Sequence, residues 1–130
     1  MIEVNEYVRI NMDNRNCIGI GRVSRIVNET IYVNMNNKYN LPVSFQIDKI
    51  VNHSKQLIDL IEVGDIVRIR TGLYSSFMEF IDNEECLLIL KEQVKKFWAI
   101  EKILTKEQME ANCYKVGGED ENWKRILRIL

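Results

Sequence analysis

A single histidine, three cysteines and a short run of carboxylates are the residues here whose types could cut, transfer or hold a metal. Their spacing suits none of those tasks. A general base needs a nucleophile within reach and a partner to orient it, and His53 sits between Asn52 and Ser54 beside an expected helix cap. Cys17, Cys86 and Cys113 are odd in number and far apart. That argues against a CxxC metal site or a disulfide framework, and for buried reduced thiols. Asp82, Glu84 and Glu85 lack the glycine and fixed spacing of a calcium loop and read as a solvated turn. Gly19-Ile20-Gly21 is too short to cradle a dinucleotide, and no GxxxxGK[ST] loop occurs. The chain is therefore expected to be a non-enzyme, with no catalytic residue, metal ligand or cofactor.

Binding is the chemistry left. Arg9, Arg22 and Arg25 can share an outer surface with Tyr7 and Tyr32, and Arg68 and Arg70 recur near Tyr74. Arginines interleaved with aromatics are what single-stranded nucleic-acid binders use to track phosphates and stack bases. The net charge of −1 favours the plainer reading, in which these side chains cover half-exposed strands. Near the C-terminus, Trp123, Ile126, Leu127 and Leu130 fall at i, i+3, i+4 and i+7, with Lys124, Arg125 and Arg128 opposite. Such a stripe packs on its own protein, pairs with a second copy, or enters a partner's groove with Trp123, Ile126, Leu127, Arg125 and Arg128 as contacts.

The elements that must position these residues announce themselves by repetition. Glu3-Val4-Asn5-Glu6-Tyr7-Val8-Arg9-Ile10 returns as Glu62-Val63-Gly64-Asp65-Ile66-Val67-Arg68-Ile69, and Ile47-Asp48-Lys49-Ile50-Val51 returns as Ile100-Glu101-Lys102-Ile103-Leu104. Internal repetition fixes the number of folding units. The expectation is a mainly β, α+β chain of two tandem small barrels, SH3-like or KOW-like, each closed by a short helix. The first unit covers 1–61, the second 62–116, and an amphipathic tail 117–130. Val8, Ile10, Val67 and Ile69 should be buried, with Arg9 and Arg68 exposed.

Strands are expected at 7–10, 17–27, 30–35, 43–47, 77–82, 86–91 and 98–104 from their alternation. Residues 82–85 would join a hairpin, and Gly19 and Gly21 suggest a bulge or bend. Helices are expected at 54–61 and, behind a Thr105–Gln108 capping box, to about residue 112. The apolar residues of Arg22-Val23-Ser24-Arg25-Ile26 do not share a parity. No segment reaches the length of a membrane span, and the N-terminus lacks the pattern of a signal peptide, so the cytoplasm is the expected location.

Residues 3–10, 48–65 and 103–116 resemble a family of small uncharacterised phage and prophage accessory proteins of clostridia and related Firmicutes. A wealth of Ile and Asn with little Ala fits an A/T-rich genome of that kind. The resemblance implies no catalytic residue. It implies a non-enzymatic protein that occupies a surface of a host protein complex, an inhibitor of a bacterial defence system of the anti-CRISPR type. A nucleic-acid- or nucleotide-binding module using Arg9, Arg22, Arg25, Tyr32, Arg68, Arg70 and Tyr74 is the alternative. A phage structural or assembly protein comes third, and a homo-oligomer is compatible with each.

Overall fold

The computed structural model describes residues 1–12, 17–35 and 41–110. Two copies of one tight turn organise it. Asn5 and Gly64 both take left-handed backbone conformations, with φ of 75° and 101°. Asn tolerates that region, and Gly has no Cβ to oppose it. The acid after each turn folds back on it: Glu6 Oε2 accepts from Glu3 N, and Asp65 Oδ2 accepts from Glu62 N. Asn5 N and Gly64 N then donate to Val23 O and Ile81 O, while Val23 N and Ile81 N donate back to Glu6 O and Asp65 O.

Each turn feeds an interior strand of an antiparallel sheet. β1 (Tyr7–Asn11) lies between β2 (Ile18–Val27) and β5 (Ile50–Ser54) in a five-stranded sheet of order β4-β3-β2-β1-β5, where β3 is Thr30–Asn34 and β4 is Pro42–Gln46. β6 (Ile66–Arg70) lies between β7 (Ser76–Phe80) and β8 (Ala99–Leu104) in a sheet of order β7-β6-β8. Register slips once along β1·β5, between Arg9 and Ile10, and once along β6·β8, between Arg68 and Ile69. The likeness goes no further. Ile47–Lys49 is a 3-10 turn, whereas its sequence echo, Ile100–Lys102, lies within strand β8. Among the described residues neither sheet closes, so the fold there is β-rich α+β with two open antiparallel sheets and no closed barrel.

The parity conflict in β2 is resolved by a bulge. Val23 pairs with Val33 and Arg25 with Tyr32, which leaves Ser24 as the extra residue. Val23 and Ile26 can then both face the core of Val8, Ile10, Ile31 and Val33. Gly19 and Gly21 are not the bulge. A Cβ at Gly21 would collide with the Val33 and Met35 side chains and approach Asn34 O to 2.9 Å, so glycine is needed for close packing. Pro42 opens β4, an edge strand, where its missing N–H costs no ladder bond.

The expected strand at 86–91 is instead α1 (Glu84–Lys96). Asn83 caps it by accepting from Cys86 N at 2.8 Å, Glu84 and Glu85 sit at the positive end of the helix dipole, and Lys95 and Lys96 sit at the negative end. Leu87 and Leu90 bury against Val67, Ile69, Ile81 and Ile103. The expected helix at 54–61 is strand β5 followed by a 3-10 turn, Leu57–Leu60. Here Ser54 Oγ accepts from Gln56 N and donates to Asp59. Short α2 (Lys106–Glu110) has the capping box foreseen for it: Thr105 Oγ1 accepts from Gln108 N, and Gln108 Oε1 accepts from Thr105 N. No described helix is long and apolar enough to cross a membrane.

Candidate functional site

Side chains on β1 and β2 that point away from the first core meet the second unit. Tyr7 stands opposite Arg22, and Arg9 opposite Ile20, so all four share that face. Ile20 packs against the core beneath α1. Arg9, expected on the surface, has no solvent exposure. Its Nη1 donates to Asp65 Oδ2 at 2.7 Å and to Leu60 O at 3.0 Å; its Nη2 donates to Asp65 Oδ1 at 3.1 Å and to Glu107 Oε2 at 2.8 Å. Nε lies 3.2 Å from Glu62 Oε2, close enough for ion pairing but not aligned for a hydrogen bond.

Asp65 also accepts from the backbone N–H of Glu62 and Lys106, so its two oxygens tie β1, the repeated turn and α2 together. Burial works against the Arg9 charge, but Asp65, Glu107 and Glu62 more than offset it and hold the guanidinium pKa above its ordinary value. The arrangement binds the two units and leaves this arginine nothing with which to contact a phosphate.

The other candidates divide. Arg68 and Arg70 both reach Glu101, at 3.6 and 3.2 Å, so one carboxylate on the neighbouring strand holds the pair. Arg22 lies over the Tyr7 ring and Arg25 over the Tyr32 ring, at 5.2 and 4.2 Å from the centroids, as cross-strand cation–π pairs. Tyr74 is in the β6–β7 loop, on the other sheet. The arginines and tyrosines proposed for nucleic acid thus do not form one surface. Trp123, Arg125, Ile126, Leu127 and Arg128, with Cys113, lie outside the described residues.

A cleft of about 510 Å³ opens between the sheets. Met12, Ile20, Met35 and Ile103 give it apolar walls, and Arg22, Lys102 and Gln108 add polar groups. Arg22 Nε donates to Asn5 O at 3.1 Å. His53 is on β5 and not at a helix cap; its Nδ1 lies 3.0 Å from Glu6 Oε1. That hydrogen bond is the chief reason the Glu6 carboxyl titrates below its ordinary range, with burial opposing it. No group of metal-ligating side chains occurs among the described residues.

The cysteines differ from one another. Cys17 is buried and disulfide-bonded, which corrects the expectation of a reduced thiol there. Cys86 is free, and partial burial together with Glu79 raises its thiol pKa, against a hydrogen bond to the Asp82 backbone.

Tyr74, expected as a nucleic-acid contact, sits beside other exposed apolar side chains at and before β7. Leu73 and Tyr74 are 85% and 99% exposed, and Phe77 and Phe80 on β7 are exposed as well. Alternation in Ser76–Phe80 reveals a strand, but not that it forms a sheet edge. Comparison with protein-family models, curated proteins and solved structures finds no match to this chain.

Proposed function

We propose that this chain is a non-enzymatic binding protein that seats a partner polypeptide along β7 and the loop before it. The observation that carries this is the exposure of Leu73, Tyr74, Phe77 and Phe80 at and beside β7, the edge strand of its sheet among the described residues. An edge strand offers unpaired backbone groups to an incoming chain, and exposed aromatics supply anchors for its side chains. Leu73 and Tyr74 are adjacent in the loop, and alternation puts Phe77 and Phe80 on opposite faces of β7, so exposed apolar side chains flank the edge from both sides. The resemblance to phage accessory proteins supports a host protein complex as the partner, with inhibition of a defence system in the host cytoplasm as the consequence. A photo-crosslinking residue in place of Tyr74 should give a discrete protein adduct in nuclease-treated host lysate. The same probe in place of Asp48, exposed on the first unit, should give none. Equal labelling from both positions, or from neither, would overturn the β7 site.

The stacked Arg22–Tyr7 and Arg25–Tyr32 pairs favour a second, narrower reading, in which single-stranded nucleic acid lies on the first sheet. Its affinity would fall steeply with salt, and Arg22→Ala with Arg25→Ala would abolish it while leaving the Tyr74 adduct intact.

A further inference from the structure

α1 buries one face under the second sheet and presents the other to solvent. At 100° per residue, the face opposite Leu87 and Leu90 consists of Glu85, Leu88, Ile89, Glu92 and Lys96, and all five are exposed. Leu88 and Ile89 are 62% and 56% exposed, adjacent, and midway along the stripe. Glu85 and Lys96 make no ion pair among the described residues.

The order of charges carries a symmetry. The first turn of α1 is acidic (Glu84, Glu85) and the last is basic (Lys95, Lys96). Glu85 and Lys96 are equidistant from a point between Leu90 and Lys91, and Ile89 and Glu92 are equidistant from the same point.

We propose that this face is the surface through which two copies of the chain associate, their α1 helices packed antiparallel about a two-fold axis at that point. A two-fold contact presents the same patch twice, so the patch must complement itself. Antiparallel pairing does this. It sets Glu85 of each copy against Lys96 of the other, packs Ile89 of each along the Glu92 methylenes of the other, and closes Leu88 and Ile89 of both helices around the axis. It also opposes the two helix dipoles. Parallel pairing would set acid on acid and base on base. An unrelated partner would need no such internal symmetry, which is why a second copy is the occupant inferred. The interface uses none of the residues assigned to β7, so it stands or falls apart from that site.

The test is sedimentation equilibrium on the full chain and on charge-reversed variants. The wild type should show a monomer–dimer equilibrium that responds to concentration and weakens with salt. Glu85→Lys and Lys96→Glu should each raise the dissociation constant at least ~10-fold, since each turns two attractions across the axis into repulsions. The double reversal, Glu85→Lys with Lys96→Glu, should return it to within about 3-fold of wild type. Both positions are exposed, and circular dichroism establishes that each variant is folded. A chain still monomeric at roughly 1 mM, the weak end of specific association, would overturn the proposal. A dimer indifferent to either single reversal, or a double variant that regains nothing, would overturn it equally.

Discussion

Arg9 shows how far a single residue can depart from its local pattern. Alternation along β1 assigns it correctly to the face opposite Val8 and Ile10. What alternation cannot say is that a second unit covers that face. The three carboxylates that receive Arg9 come from positions 62, 65 and 107, and nothing in the order of residues ties them to it. Removing one member of a buried charge group leaves the others uncompensated. Arg9→Met should therefore cost about 3–5 kcal/mol in urea unfolding. A loss under about 1 kcal/mol would show the junction to be loose or wet.

Glu6, at the equivalent place in the first turn, behaves differently because its partner is His53 on the sheet edge. Its folded pKa is depressed, so the pair contributes stability above the unfolded carboxyl pKa of about 4.3 and loses it as pH falls through the folded value. Glu6→Gln should thus be destabilised relative to wild type at neutral pH, with the gap closing below about pH 4. A gap constant down to pH 2 would assign its cost to packing.

At the scale of elements, local chemistry was legible where short-range hydrogen bonds decide the outcome. Thr105 and Gln108 read as a capping box because the motif needs only four consecutive residues. α1 was misread because Cys86-Leu87-Leu88-Ile89-Leu90 is a short apolar run, which periodicity cannot assign to strand or helix. The deciding signals lay on either side: Asn83 in extended conformation as the cap, two acids in the first turn and two lysines in the last. β5 was missed for the opposite reason. Its buried partner is the strand beside it, while its own residues are mostly exposed and carry little pattern. If capping decides α1, Asn83→Ala should lower stability by about 1 kcal/mol, and Asn83→Ser should recover most of that. Thermal unfolding followed at 222 nm measures both, and no difference between Ala and Ser would make the cap incidental.

At the scale of the whole molecule, the sequence repeat suggested two bodies, each with its own core. The repeated segments do make matching turns, interior strands and register slips, so similarity of sequence carried local geometry. It could not carry the way the units share their burial. A unit of about sixty residues is near the lower limit for a self-sufficient core. Here the first unit adds to the second: Ile20 packs into the core under α1, Arg9 is enclosed by carboxylates from the second, and Thr105 Oγ1 donates to Ile18 O. With β2 held to β8 and α2 as well as to its own sheet, neither unit can unfold without stripping contacts from the other. The chain should accordingly lose structure in one step. In a urea titration, tryptophan fluorescence and far-ultraviolet dichroism, which reports every strand and helix, should share one midpoint. The calorimetric enthalpy should equal the van't Hoff value. Arg9→Met should move that midpoint down without splitting it, because Ile20 and Thr105 still join the units. Two separate transitions in the wild type would mean that the shared contacts are weaker than either core, and that the units fold as the independent bodies the repeat first suggested.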